Sequence, residues 1–268
     1  MTRELAAGKL LLDHPAEAVA RLTLANPERR NAIDRDVLDG LAAVLGELDR
    51  GIEVRCVIIT GAGGTFSAGY DIADIPEHSF ERDAEALVAH PFHAGMEAVS
   101  GHPYPVVAAI AGPCLGGGLE LAVRCDLRLA AEGATLGMPP SKLGLIYGHT
   151  GLARFIDAIG VARTKELFLT GRTLPAARAE RIGLVHEVVA DDELEAAGVA
   201  LASEIAANAP LAARGNKRAI ETLAGFPRLT PEQERELVEL RRSCFASEDF
   251  REGIRAFAEK RPPDWKGR

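Results

Sequence analysis

Short apolar runs alternate with helical spacing along the first half of the chain. Residues 54–60, 106–111 and 126–130 are rich in β-branched and small apolar side chains, which is typical of buried strands. Residues 10–24 predict two further strands joined around Pro15. Helices are predicted from Asp34, a suitable N-cap, to about Gly51, and then over residues 81–100 and 117–124. Strands and helices in this order predict a parallel sheet with right-handed crossovers, and therefore an α/β fold.

From about residue 151 the spacing of the apolar positions becomes helical almost throughout. One short apolar run, residues 184–189, interrupts the predicted helices, which cover residues 151–158, 161–170, 175–181, 192–207, 209–223, 232–244 and 247–259. We therefore divide the chain into a core, residues 1–190, and a C-terminal helical region, residues 191–268. We expect this region to pack on the core or on a neighbouring subunit.

Composition and charge narrow the classes of function. The 268 residues include 31 basic and 39 acidic side chains, and the net charge of −8 argues against a nucleic-acid partner or an anionic membrane surface. Because no signal peptide or spanning segment is predicted, we expect a cytoplasmic protein. The four cysteines have no disulfide or metal-site spacing and are expected to be free thiols.

Two glycine-rich loops follow predicted strands, at the edge where parallel sheets bind ligands. The loop GPCLGGGLEL opens a helix at Gly117, where unpaired amides and the helix dipole favour negative charge. Three consecutive glycines there exceed what a tight turn alone requires. The loop GAGGTFSAGYD would bring another amide close, near Gly69 or Tyr70. Two amides that converge on one oxygen form an oxyanion hole.

Glu120 and Tyr147 are the candidate side chains for the chemistry. Glu120 lies three residues after Gly117 on the predicted helix, where side chains lean back towards the N-terminus. A solitary glutamate in an apolar stretch is costly to bury without a purpose, but a partly exposed glutamate at a helix start is the alternative. Tyr147 is one of three tyrosines. A core aromatic with its hydroxyl bonded to backbone explains it equally well.

Other catalytic signatures are incomplete. Thr65 replaces the first glycine of the GxSxG nucleophile motif around Ser67, and Phe66 stands at the last position of a GxGxxG match. A serine hydrolase that uses Ser67 is therefore only a third class of function. His90 and His93 have a spacing that could share a metal, but no further ligand cluster accompanies them, and we expect no metal.

Five motifs resemble the enoyl-CoA hydratase/isomerase superfamily, which has the crotonase fold. In order they are NPERRNAID, TFSAGYDI, AIAGPCLGGGLELAVRCDLRLAAEGATLGMP, LTGRTLPAARAERIGLVHEVV and SEDFREGIRAFAEKRPP, and they cover essentially the whole chain. The resemblance implies a spiral core of ββα turns and a C-terminal helical region that forms a homotrimer or homohexamer. It also implies an acyl-CoA thioester as substrate, with no cofactor apart from the coenzyme A of that substrate.

The resemblance also implies residue roles. The amides of Tyr70 and Gly117 would bind the thioester oxygen. Coenzyme A would be bound by residues of the motif NPERRNAID, by residues of the motif TFSAGYDI near the adenine of the coenzyme, and by residues of a C-terminal helix from the same or a neighbouring subunit. These residues are Arg30, Ala32, Ala68, Asp71, Ile72, Phe257 and Lys260.

The resemblance leaves the reaction open. Hydratases of the family use two glutamates, and Glu120 matches the first, whereas Pro140 stands at the position of the second. The segment PPSKLGLIYGHTG is similar to methylmalonyl-CoA decarboxylases, in which a tyrosine at the position of Tyr147 holds the substrate carboxylate. We therefore expect decarboxylation of a methylmalonyl-CoA-like thioester. An anionic Glu120 would repel that carboxylate, so it must be protonated, turned away, or used only to reprotonate the enolate.

Two alternatives follow from the same residues. An enoyl-CoA hydratase or isomerase would use Glu120 as its single acid and base. A non-catalytic scaffold that binds acyl-CoA or a protein or RNA partner is an alternative of another class, although the retained glycines and Glu120 argue against it.

Overall fold

A computed structural model gives the fold of residues 2–70, 91–224 and 230–266. The strands in these ranges are β1 (Arg3–Leu5), β2 (Leu10–Ala16), β3 (Val19–Leu24), β4 (Cys56–Gly61), β5 (Val106–Ile110), β6 (Pro113–Leu115), β7 (Leu127–Ala131), β8 (Thr135–Gly137), β9 (Thr173–Pro175) and β10 (Glu187–Val189). The helices are α1 (Arg35–Leu48), α2 (Pro91–Ser100), α3 (Gly117–Arg124), α4 (His149–Thr170), α5 (Ala176–Arg181), α6 (Leu194–Ala207), α7 (Pro210–Ala224), α8 (Pro231–Ala246) and α9 (Glu248–Ala258). The predicted helical residues 81–90 lie outside the described residues.

The main sheet has the strand order β1-β2-β3-β4-β5-β7-β10. The first three strands pair antiparallel, and β3, β4, β5, β7 and β10 run parallel, which confirms the predicted α/β fold. The two strands predicted over residues 10–24 are confirmed as β2 and β3, but they join at residues 17–18 and not around Pro15, which lies inside β2; Ala18 has φ of 56°. The register of β2 and β3 shifts between Asp13 and Ala16, and such an irregularity tolerates a proline that cannot donate to the ladder.

Both faces of the parallel strands are buried. Val57 and Ile59 of β4 belong to an apolar cluster with α1, α2 and α3, whereas Cys56 and Ile58 face a second cluster with α6. This explains why the sequence shows continuous apolar runs rather than alternation at these strands. The sheet is thus held between helices, and the loops after its parallel strands are placed at one edge.

The C-terminal helices agree with the predicted spacing. Helix α4 is interrupted at Gly160, where φ is 72°, which accounts for the prediction of two helices there. A second sheet of order β6-β8-β9 was not predicted, because strands of three residues are too short to show a period. Within the described ranges, no single helix has the length and apolar character to cross a membrane. Among the described helices, the pair α6 and α7, bent by 102°, meets that test together, by length and composition alone.

Candidate functional site

The two glycine-rich loops lie against each other. The main chain of Ser67 forms a parallel bridge with Cys114, and the Leu115 N–H donates to the Ser67 carbonyl at 2.9 Å. The Ser67 side chain is buried, and its Oγ accepts a hydrogen bond from the Gly69 N–H at 3.1 Å. Ser67 therefore stabilises the turn, which is the role expected of a small residue at this position.

The close approach of the loops brings the amides of Tyr70 and Gly117 near one another. A methyl group added to Gly117 would lie 3.5 Å from the Tyr70 nitrogen and 3.1 Å from its ring. Gly117 is the first residue of α3, where main-chain amides lack acceptors within the helix. The preceding residue, Gly116, has φ of 53°, a conformation that glycine adopts at little cost.

A third loop joins the first two. Asn31 is 1% exposed, accepts from the Asn26 N–H at 2.9 Å and donates to the carbonyls of Ala62 and Thr65. Through these bonds the segment that contains Arg30 lies beside the loop GAGGTFSAGYD. Sequence reasoning missed Asn31, although its place within the motif NPERRNAID was a signal.

The residues expected to bind coenzyme A are only partly brought together. Arg30 and Ala32 lie beside Ala68, whose N–H donates to the Arg30 carbonyl at 2.9 Å. Phe257, 69% exposed, and Lys260 lie at and beyond the end of α9, and no described contact links them to the other three. Asp71 and Ile72 lie outside the described residues.

Helix α3 carries Glu120 in the predicted position. The helix spans the eight residues that the sequence predicts, and every one of them is buried. Glu120 is 1% exposed, so the alternative of a partly exposed glutamate is wrong. Its Oε2 accepts a 2.5 Å hydrogen bond from the Tyr147 hydroxyl. The alternative of a backbone partner for Tyr147 is therefore also wrong.

The other oxygen of Glu120 is held by Arg124. Arg124 Nη2 and Nε lie 3.0 and 3.3 Å from Glu120 Oε1, and Nη1 donates to Glu97 Oε1 at 2.7 Å. The four side chains form a hydrogen-bonded row, Glu97, Arg124, Glu120 and Tyr147. Sequence reasoning missed Arg124, although its spacing of four residues from Glu120 on a predicted helix was a signal.

Both tyrosines of the site keep their protons at neutral pH. Burial, followed by the neighbouring Glu120 charge, raises the pKa of Tyr147 well above its ordinary value, and the same causes raise the pKa of Tyr70. A protonated phenol beside a carboxylate is a hydrogen-bond donor, so Tyr147 donates rather than accepts.

Glu120, Arg124 and Tyr147 line a cavity of about 220 Å³. The other lining residues come from the segment before α4, from the start of that helix, from α2 and α8, and from the loop GAGGTFSAGYD. They are Tyr70, His93, Leu145, Ile146, Gly148, His149, Thr150, Gly151, Glu234 and Val238. A methyl group on Gly151 would lie 2.7 Å from both Glu120 Oε2 and Tyr147 Cε1, so glycine is required there.

No second glutamate stands where the two-glutamate mechanism needs one. Pro140 is buried in a short 3₁₀ turn, Pro140–Leu143, and does not line the cavity. His149 lines it instead: its enclosed Nδ1 has no partner among the described residues, and its Nε2 lies 3.7 Å from Glu234 Oε1. The described residues hold no group of three or more metal-ligating side chains. His93 belongs to the described residues, and His90 lies outside them.

Comparison with known proteins gives a consistent family and two different reactions. A family model described as enoyl-CoA hydratase/isomerase matches residues 14–268. The Mycobacterium bovis protein named "Probable enoyl-CoA hydratase echA8" is 39% identical over 255 residues, which are 94% of this chain and 96% of that protein.

Two solved structures illustrate the difference. A methylmalonyl-CoA decarboxylase in complex with 2-nitronate-propionyl-CoA has a TM-score of 0.89 at 29% identity and covers 97% of this chain and 99% of its own. An enoyl-CoA hydratase from Bacillus anthracis has a TM-score of 0.75 at 35% identity, with coverage of 97% and 100%. Of these proteins, the hydratases are more similar in sequence and the decarboxylase is more similar in backbone shape.

Proposed function

Because this chain belongs to the enoyl-CoA hydratase/isomerase family, and so is an acyl-CoA lyase with the crotonase fold, we propose that it decarboxylates a methylmalonyl-CoA-like thioester. The observation that carries the proposal is the hydrogen bond from Tyr147 to Glu120 in the cavity, together with the proline, Pro140, at the position where the two-glutamate mechanism places its second acid. The shape similarity to a methylmalonyl-CoA decarboxylase supports it.

The amides of Tyr70 and Gly117 would stabilise the developing charge. Loss of CO₂ breaks the bond between the carboxylate and the α-carbon, and its electron pair enters the thioester as an enolate. Two donors aimed at the enolate oxygen lower the barrier, and one such donor contributes about 3–4 kcal/mol. The close approach of Gly117 to the Tyr70 nitrogen supports this assignment.

Tyr147 would orient the carboxylate that leaves. Its hydroxyl lines the cavity and keeps its proton, so it can donate to a substrate carboxylate. Held in this way, the breaking bond would stand perpendicular to the thioester plane and overlap with the carbonyl. The enolate then takes a proton that originates from water, and Glu120 lies in the cavity to relay it.

Hydration or isomerisation with Glu120 alone is the second candidate. It is favoured by the hydratase relative and by the burial of Glu120, which is typical of a proton-transfer group. Pro140 and the donor Tyr147 argue against it, because the first removes a carboxylate and the second is not needed to add water.

A direct assay tests the proposal. Purified protein is incubated with methylmalonyl-CoA, crotonyl-CoA and 3-hydroxybutyryl-CoA, and the products are identified by mass spectrometry. We expect propionyl-CoA from methylmalonyl-CoA and slow or no turnover of the other two. Turnover of crotonyl-CoA alone would refute the decarboxylase and favour the second candidate, and coenzyme A binding without any turnover would favour the scaffold.

The protein is also proposed to form a homotrimer or homohexamer. Helix α7 has no buried residue in the single chain, yet Leu211, Ile220 and Leu223 are 82%, 65% and 69% exposed. Such a surface is typical of a subunit contact. A neighbour could then supply Phe257 and Lys260 to the coenzyme A bound by Arg30, Ala32 and Ala68. Light scattering after gel filtration would refute this assembly if it gave a monomer mass.

A further inference from the structure

Arg124 is a buried cation in the cavity with no role in the steps proposed above. Its side chain and that of Glu120 are each 2% exposed, whereas the side chain of Glu97 is 48% exposed. Two of its nitrogens bind one oxygen, Glu120 Oε1, and leave Oε2 for Tyr147. The guanidinium therefore fixes which carboxylate oxygen faces the phenol.

A contribution to stability explains this pair poorly. Two charges lose their hydration on burial, and apolar residues of similar volume at such positions are often as stabilising. A buried pair that lines a cavity and touches the candidate acid is therefore better explained by what the cavity binds.

A substrate carboxylate that accepts the Tyr147 proton would lie beside the Glu120 carboxylate, and two such anions need a cation nearby. One phenol proton serves one acceptor, so a substrate carboxylate that accepts it takes the bond that Glu120 holds now. Two carboxylate oxygens that both lie within reach of one hydroxyl are at most roughly 6 Å apart. At this distance in a buried site, two anions repel strongly unless a cation lies beside them.

We propose that Arg124 is a positioning residue that holds Glu120 and offsets its charge, so that the cavity accepts a substrate carboxylate on Tyr147. The inference rests on the proposed function only in that the acyl group bears a carboxylate. It reduces the conflict that the sequence raised for Glu120, since the carboxylate would meet an anion that is paired with a buried cation, while the second carboxylate on Arg124, Glu97, is half-exposed and screened by solvent.

A binding experiment on the full chain tests the proposal. Affinities for carboxypropyl-CoA and propyl-CoA thioethers, which differ in the carboxylate, are measured by calorimetry for the wild type, Arg124→Gln, Glu120→Gln and the double variant. We expect Arg124→Gln to weaken carboxypropyl-CoA by at least about tenfold, and propyl-CoA by less than about threefold. The double variant, with both charges removed, should regain carboxypropyl-CoA binding to within about threefold of the wild type.

Two further variants separate the charge from the packing. Glu97→Gln removes the charge of the second carboxylate that Arg124 bonds, while the pair of Arg124 with Glu120 stays. It should change the affinity for neither carboxypropyl-CoA nor propyl-CoA. Arg124→Lys keeps the charge and should keep the preference for carboxypropyl-CoA, even if Arg124→Gln does not fold. Equal weakening of both ligands by Arg124→Gln, no recovery in the double variant, or loss of the preference in Arg124→Lys would overturn the proposal.

The outcome is distinguishable from failure of the proposed function. If the wild type prefers carboxypropyl-CoA and the variants behave as expected but methylmalonyl-CoA is not converted, only the proposed reaction is refuted. If methylmalonyl-CoA is converted but Arg124→Gln keeps the wild-type preference, only the role of Arg124 is refuted.

Discussion

Gly69 and Gly117 lie so close together that a methyl group on Gly69 would be 3.0 Å from the Gly117 nitrogen. The same methyl group would be 2.8 Å from the Leu115 carbonyl oxygen, and Gly69 has φ of 97°. We therefore expect Gly69→Ala to separate the two loops and to lower kcat at least about 100-fold, because small displacements of reacting groups have effects of this size.

Gly64→Ala is the matched control for this change. Gly64 also has a positive φ, of 71°, but no atom lies within 4 Å of an added methyl group. It should cost about 1–2 kcal/mol of stability and leave kcat unchanged, as steady-state kinetics and thermal unfolding would measure. Equal kcat values for both variants would contradict the importance of the loop contact.

Tyr147→Phe should slow decarboxylation of methylmalonyl-CoA at least about 100-fold, the loss typical of one catalytic hydrogen-bond donor. Any hydration of crotonyl-CoA should change much less, because that substrate has no carboxylate to orient. Tyr104→Phe is the control, since the Tyr104 hydroxyl donates to the Gly51 carbonyl at 3.1 Å outside the cavity. It should leave both rates unchanged. Equal, small effects of Tyr147→Phe on both substrates would contradict its role.

Arg128→Met should destabilise the fold by at least about 2 kcal/mol, because it leaves buried carbonyls without donors. The Arg128 side chain donates at distances between 2.7 and 3.4 Å to the carbonyls of Ala122, Val123, Cys125 and Leu184. The exposed Arg163, which pairs with Glu166 at 2.8 Å, is the control, and Arg163→Met should change stability by less than about 1 kcal/mol. Urea unfolding measures both. A similar small loss for the two variants would show that the carbonyls find other donors.

His102 should make stability depend on pH between about 4 and 6.5. Burial, with Lys217 and Arg214 nearby and only partly opposed by Asp49, lowers its pKa from 6.5 to about 4. The folded state therefore favours neutral imidazole, and its contribution of about 3 kcal/mol is present above pH 6.5 and lost towards pH 4.

His102→Gln should flatten the fall in unfolding free energy over this pH range, as urea unfolding at several pH values would measure. His14→Gln, at an exposed position, should keep the wild-type slope. If His102→Gln also kept the wild-type slope, the buried imidazole would not be the group that titrates.

The sequence predicted the elements whose residues carry a strong local signal. Helix α3 was predicted residue for residue, because a run of glycines marks its start and an apolar stretch its length. The N-cap of α1 was also predicted, and the Asp34 side chain accepts from the Val37 N–H at 3.0 Å. The short strands β6, β8 and β9 were missed because pairing between distant segments, and not local periodicity, defines them.

The candidate site was predicted as far as single residues and motifs allow. Glu120 and Tyr147 were singled out by residue type and resemblance, but their hydrogen bond joins positions 27 residues apart and is visible only in the folded chain. The contact of Arg124 with Glu97, which lies in another helix, is likewise visible only in the folded chain. Contacts between positions distant in sequence leave no local pattern, whereas the spacing of four residues between Glu120 and Arg124 on one helix does.

The single short helix α3 carries the Gly117 amide at its first residue, Glu120 one turn later and Arg124 at its last. Its backbone hydrogen bonds set the spacing between these groups, so a displacement of the helix would carry the proposed anion-binding amide, the proposed acid and its counter-ion along as one unit. A mutation that tilted α3 would therefore impair substrate activation and proton delivery together. The remaining residues that line the cavity lie outside α3 and could change without moving these three groups.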